Sequence, residues 1–104
     1  KEIKIPVIVK AELLLGAYKS QVREKTVQKV EKFLEPFEIL PFTNEMASEY
    51  AEIRKKLESE ESIIGANDLF IAAAVKSKNG ILVTHNTGEF SRISGLAVED
   101  WVKE

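Results

Sequence analysis

Ser62-Ile-Ile-Gly-Ala-Asn-Asp-Leu-Phe-Ile-Ala-Ala-Ala-Val75 is the stretch on which the reading of this chain turns. Leu69 to Val75 is an unbroken apolar run with no polar stripe at helical spacing. A helix that is apolar all round belongs inside a domain. Asn67 reads as its N-cap and Asp68 falls in its first turn, while Ser77-Lys-Asn-Gly80 supplies the stop, with Gly80 as a left-handed C-cap. A carboxylate is thereby carried to the mouth of a buried helix. Taken alone, Asp68 is accounted for as a charge that complements the helix dipole, worth up to ~1 kcal/mol. The placement of the other acidic residues suggests a second use.

Size and composition set the bounds. One hundred and four residues make a single small domain, and an apolar fraction of 44% is that of an ordinary globular chain rather than a disordered one. No apolar run approaches a membrane span, and no signal-peptide pattern is visible. The absence of cysteine excludes disulfides and thiolate metal sites and fits a reducing cytoplasm; a single histidine argues against a histidine-built zinc site. Net charge is −2, so this is no polycationic nucleic-acid coat. Residues 1–35 nevertheless carry eight Lys/Arg against five Asp/Glu, a basic surface that can meet a phosphate backbone. Residues 36–62 reverse the balance, three against seven, as expected of solvated helix faces. The chain opens at Lys1 without a methionine and runs at once into strand-like sequence, which reads as part of something longer.

Going outward from the central helix, Ile3–Val9 is short and β-branched and reads as a buried strand, with Pro6 pushing it toward an edge. Residues 11–20 read as a helix with Glu12 in its first turn and Leu13, Leu14, Leu15 and Ala17 as packing residues. A second helix covers 22–34, with Val27, Val30 and Leu34 inward and Pro36 ending it. Phe37–Phe42 is a strand. Asn44 caps a third helix to about Ser59, in which Met46, Tyr50, Ile53 and Leu57 recur at spacings of three and four. After the central helix come a buried strand at 80–84, a polar loop at 85–88, one helical turn over 89–93 and a last strand at 96–101. Strands alternate with helices throughout, which predicts an α/β layer structure with a largely parallel sheet. The five Phe and the lone Trp101 are spaced for core packing rather than for stacking on bases.

In such a sheet ligands gather at the carboxyl ends of the strands. Helices run antiparallel to the strands they connect, so a helix that precedes a strand begins at that same edge. Glu12 follows the first strand, Asp68 opens the helix that feeds strand 80–84, and Asn86 and Glu89 follow that strand. Topology thus predicts Glu12, Asp68, Asn86 and Glu89 on one rim. Carboxylates held together repel unless a cation joins them, and oxygen donors without Cys or His select a hard ion, Mg²⁺ or Mn²⁺. Such an ion activates water and neutralises a phosphodiester.

The segments Ala11-Glu-Leu-Leu-Leu-Gly-Ala17, Ile64-Gly-Ala-Asn-Asp-Leu69, Leu82-Val-Thr-His-Asn-Thr-Gly-Glu-Phe90 and Gly95-Leu-Ala-Val-Glu-Asp-Trp101 resemble PIN-domain proteins, specifically VapC-type toxins. The match runs in order along the whole chain. The resemblance implies an α/β, PIN-like three-layer fold with a short, largely parallel sheet. It also implies a Mg²⁺- or Mn²⁺-dependent endoribonuclease, a homodimer, and a cognate antitoxin that blocks the acidic site. By position, Glu12 and Asp68 match the family's second and third acidic ligands and Glu89 a further acidic position near the metal. Asn86 stands where many relatives have Asp. His85 has no acidic or catalytic counterpart and reads as a loop residue. The family's opening strand, central in its sheet and ending in an Asp ligand, has no match before Lys1. Residues 1–104 are therefore expected to be one N-terminally truncated PIN-like domain whose metal site is defective on its own.

Two other readings stand beside this one. A catalytically inactive, protein-binding PIN-like module would use the acids only as helix caps. A phosphate- or nucleotide-binding α/β domain is disfavoured, because no Gly-rich phosphate loop is present. In the nuclease reading, Lys10, Lys19, Arg23 and Arg92 are the basic residues available to the RNA backbone.

Overall fold

A computed structural model of the chain describes residues 3–101. Its contacts divide the chain into two compact units, Lys1–Pro41 and Phe42–Glu104.

The first unit contains β1 (Lys4–Pro6), α1 (Val7–Tyr18), α2 (Arg23–Leu34) and β2 (Glu38–Leu40). β1 and β2 pair in parallel, Lys4 with Glu38, Ile5 with Ile39 and Pro6 with Leu40. The strand expected to reach Val9 stops at Pro6. There φ is −59° and ψ is 141°, and the chain turns straight into α1. The β-branched Val7-Ile8-Val9 is therefore helical, since its helix-propensity cost of a few tenths of a kcal/mol per residue is easily overridden by the apolar run that continues behind it. The expected burial of this strand also fails: Lys4 is exposed, and Ile5 and Pro6 are half-buried. On α1 only Ala17 is buried and Leu14 is half-buried, while Leu13 and Leu15 are exposed, so the packing role expected of these residues fails at Leu13 and Leu15. α2 follows expectation more closely. Val22 is its N-cap, Leu34 is buried, Val27 and Val30 are half-buried, and the helix ends ahead of Pro36.

The second unit holds α3 (Asn44–Ser59), α4 (Ala66–Ser77), β3 (Ile81–Val83), α5 (Thr87–Phe90) and β4 (Ala97–Glu99). Thr43, not Asn44, is the N-cap of α3: its hydroxyl accepts from the Met46 N–H at 3.3 Å, while its own N–H points at the Met46 sulfur at 3.4 Å. Met46, Ile53 and Leu57 are buried at the predicted spacing. α4 is the enclosed helix that the apolar run demanded, with Leu69 and Ile71–Ala74 all buried. Tyr50 of α3 stacks on Phe70 of α4 at 4.5 Å, and Phe42 meets the same ring edge-on at 5.1 Å. α4 ends as expected before Gly80, but Asn79 rather than the glycine takes the left-handed conformation, φ +53°. Asn tolerates that region better than other side-chain-bearing residues. β3 and β4 pair in parallel, Leu82 opposite Val98, and Leu82 alone of the β3 residues is buried. The chain is thus mixed α/β, and its strands form two separate parallel pairs, β1–β2 and β3–β4, where a single short sheet was expected.

The aromatics divide. Phe90 is buried, but Phe33 is 61% exposed and Trp101 55%, against the expectation that all of them fill the core. Phe33 is instead tilted against Phe37 at 5.8 Å, and the Trp101 indole N–H is bonded to the Glu99 carboxylate at 3.0 Å.

Candidate active site

Three of the four predicted site residues converge in the second unit. The run Ile63–Gly65 leads into α4, for which Gly65 is the N-cap; the expected cap, Asn67, lies one residue inside the helix. Helix formation begins with the Leu69 N–H donating to the Gly65 carbonyl at 3.0 Å. Asp68 is thereby held in the first turn, where the orphan N–H groups favour a carboxylate.

Facing this turn is α5. Asn86 is its N-cap residue, and the Asn86 backbone N–H donates to the Thr84 hydroxyl at 3.0 Å as the chain leaves β3. The Asn86 side-chain amide donates to Glu89 Oε1 at 3.0 Å, and the Gly65 N–H donates to Glu89 Oε2 at 3.4 Å. One carboxylate therefore ties the loop after β3 to the entrance of α4. Arg92, three residues on, makes a second tie by donating to the Ile63 carbonyl at 3.0 Å.

These neighbours determine the charge state of Glu89. Donation from the Asn86 amide, then from the Gly65 N–H, holds its carboxyl below the usual carboxylate range, and the nearby Arg92 charge and a side-chain hydrogen bond with Asp68 act in the same direction. A hydrogen bond between two carboxyl groups needs a proton on one of them. A cation that bridges two carboxylates would take the place of that proton between Asp68 and Glu89.

Glu12 sits elsewhere in the chain's organisation. It belongs to the first unit and is exposed on α1. Because α1 begins at Val7 rather than at Ala11, Glu12 lies in the second turn and six residues beyond Pro6, not in the first turn as expected. Among the described residues, no three Asp, Glu or His side chains form a ready-made metal cage. Mg²⁺ does not need one, since it keeps several waters and takes one or two carboxylates together with substrate phosphate oxygens. The Asp68–Glu89 pair, flanked by the Asn86 amide and free of sulfur, fits that donor chemistry.

The basic residues marked for RNA are partly committed already. Arg92 is bonded to Ile63, and the Arg23 guanidinium lies over the Tyr18 ring at 4.1 Å; Lys19 is exposed and Lys10 half-buried. Two features of the site were missed in the sequence. One is the Gly65 N–H, a backbone donor with no residue-type signal. The other is a hydrogen-bond contact of His85, whose Nδ1 lies 3.1 Å from Asp100 Oδ2. The β3–β4 register, Val83 opposite Glu99, carries Asp100 to this edge, and that register is fixed by the fold and not by residue type.

Comparison with known proteins bears on this arrangement. A PIN-domain family profile matches residues 1–96. Ribonuclease VapC2 of Rickettsia felis is 43% identical over 101 residues, which cover 97% of this chain and 75% of that protein. The tRNA(fMet)-specific endonuclease VapC of Shigella flexneri is 37% identical over 90 residues, 86% of this chain and 68% of that protein. Among solved structures, VapBC2 from Rickettsia felis bound to a promoter DNA fragment superposes with a TM-score of 0.94 at 42% identity, over 97% of this chain and 76% of that one. VapBC-1 from nontypeable Haemophilus influenzae gives 0.94 at 34% identity, over 98% and 76%.

Proposed function

The chain belongs to the PIN-domain family, with VapC ribonucleases as its relatives, and on that premise we propose that it is a metal-dependent endoribonuclease toxin acting through Asp68, Glu89, Asn86 and Glu12. The observation that carries the reading is the meeting of Asp68, Asn86 and Glu89 through named hydrogen bonds at one edge of the second unit. Asp68 and Glu89 are the proposed metal ligands there. Asn86 holds Glu89 in place and favours its ionised form. Glu12 is assigned as a third acidic ligand on the strength of its Ala-Glu-Leu-Leu-Leu-Gly-Ala segment. The ion, Mg²⁺ or Mn²⁺, supplies charge neutralisation of the scissile phosphate and activation of water. The profile match over residues 1–96 spans both compact units, which supports treating them as one functional domain.

The solved relatives are VapBC structures, one of them described as a member of the VapBC family of toxin-antitoxin systems, and this chain's proposed partners are accordingly RNA, a cognate antitoxin and a second copy of itself. No helix among the described residues is long and apolar enough to cross a membrane, and the proposed place of action is the cytoplasm, where RNA is found.

The test is a Mn²⁺ titration followed by thermal unfolding and by cleavage of labelled RNA. Binding to the folded state raises stability by ~2.7 kcal/mol at one hundred times the Kd. A saturable rise in Tm that Asp68→Asn abolishes is expected, and whatever cleavage the wild type shows should be lost with it. Equal responses of wild type and Asp68→Asn would refute the assignment, and metal-independent antitoxin binding without any cleavage would favour the inactive binding module.

A further inference from the structure

The lone histidine lies outside the acid cluster but on the loop that supplies Asn86. Thr84 N–H donates to the Glu99 carbonyl at 3.0 Å, which extends the β3–β4 pairing past the last strand residues and brings His85 beside Asp100. A carboxylate can only accept, so His85 Nδ1 carries the proton in their 3.1 Å contact. In the neutral ring Nε2 is then an acceptor. The side chain is 64% exposed, and Asp100, at 30%, is the better covered of the two.

An acceptor fixed at the edge of a nuclease site has few complementary groups on its substrate. Phosphate oxygens and the ring oxygen of the sugar are acceptors themselves. Along an RNA backbone the 2′-hydroxyl is the recurring donor, and it is the group that distinguishes RNA from DNA. Amino groups of bases also donate, but they change with the base. We infer that the His85–Asp100 pair is a ribose-recognition site: Asp100 fixes the tautomer of His85, and His85 Nε2 accepts a hydrogen bond from one 2′-hydroxyl of the bound RNA. His85 thereby contributes to selection of RNA over DNA without taking part in metal binding. The inference rests on the nuclease reading above and adds a specificity residue to it.

The experiment compares cleavage of an RNA oligonucleotide with a series in which a single 2′-hydroxyl near the scissile bond is replaced by hydrogen, in Mn²⁺ at pH 8. Wild type is expected to lose about five- to tenfold in kcat/KM at one position, the size of one neutral hydrogen bond. His85→Ala should show that loss already on the all-RNA substrate and no further loss at that position. Asp100→Ala should behave in the same way, and both variants should keep the saturable Mn²⁺ stabilisation of the wild type, which shows that the fold and the metal site are intact. If the variants discriminate between the two sugars as well as wild type does, the inference is wrong. A loss that follows base identity rather than the 2′-hydroxyl also overturns it. If wild type shows no Mn²⁺-dependent cleavage of any RNA, the nuclease reading itself fails, an outcome distinct from either of these.

Discussion

Leu69→Ala and Leu15→Ala are the same chemical change at two sites that the sequence does not tell apart. Both leucines lie in apolar helical runs, yet Leu69 is 2% exposed on α4 and Leu15 is 54% exposed on α1. Removing the Leu69 side chain deletes buried methylene surface and leaves a cavity next to small alanines that cannot collapse into it, a change that costs ~2–5 kcal/mol. For a domain of this length, with an unfolding entropy of ~2.1 cal/mol/K per residue, a loss of ~3 kcal/mol lowers Tm by about 10–15 °C. At Leu15 half of the side chain is already in water and alanine is the better helix former, so the expected change is within ~0.5–1 kcal/mol, or a few degrees at most. Thermal melts followed by circular dichroism, repeated across a protein concentration series, make the comparison. Equal destabilisation of the two variants at every concentration would refute the assignment of the enclosed core to α4 and of an open face to α1. A Leu15→Ala effect that appears only at high concentration would instead mark burial between copies.

Two further outcomes follow from the geometry of the second unit. Because the folded-state pKa of Glu89 is depressed, the stability that this group contributes is complete above its unfolded-state value and is lost as pH falls through the folded one. Asn86→Ala removes the largest cause of that depression, so the Glu89 carboxyl should titrate at higher pH in a ¹³C NMR titration, and the acid-induced loss should begin earlier; an unchanged titration would dissociate Asn86 from Glu89. Gly95→Ala should destabilise by ~1 kcal/mol or more, because φ there is +83° and a Cβ would come within 3.3 Å of Lys76 Cε, whose ammonium is already drawn to Glu49 at 3.6 Å. A melt as stable as wild type would show that this turn can adopt another backbone conformation.

Which elements exist, and which residues of α3 and α4 face inward, was legible because periodicity is a local property: Met46, Ile53 and Leu57, and the unbroken Leu69–Val75 run, needed no partner to be recognised. The grouping of Asp68 with Asn86 and Glu89 was also legible, since parallel strands and their connecting helices restrict where those chain segments can begin and end. Local pattern failed at Val7–Val9, where β-branched residues entered a helix. It failed again at Leu13, Leu15, Phe33 and Trp101, where an apolar side chain is left facing water. Burial is decided by what packs against a side chain, and no count along the sequence supplies that neighbour. The same holds for the site. The residue types at positions 12, 68, 86 and 89 pointed to acid-and-metal chemistry from the sequence alone. Only the tertiary structure decided that the backbone N–H of Gly65 would join the Asn86 amide in favouring the ionised form of Glu89, and that Asp100 would accept the His85 Nδ1 proton, because hydrogen bonds such as Gly65–Glu89 and His85–Asp100, made across many positions, depend on distance in space rather than on order in the chain.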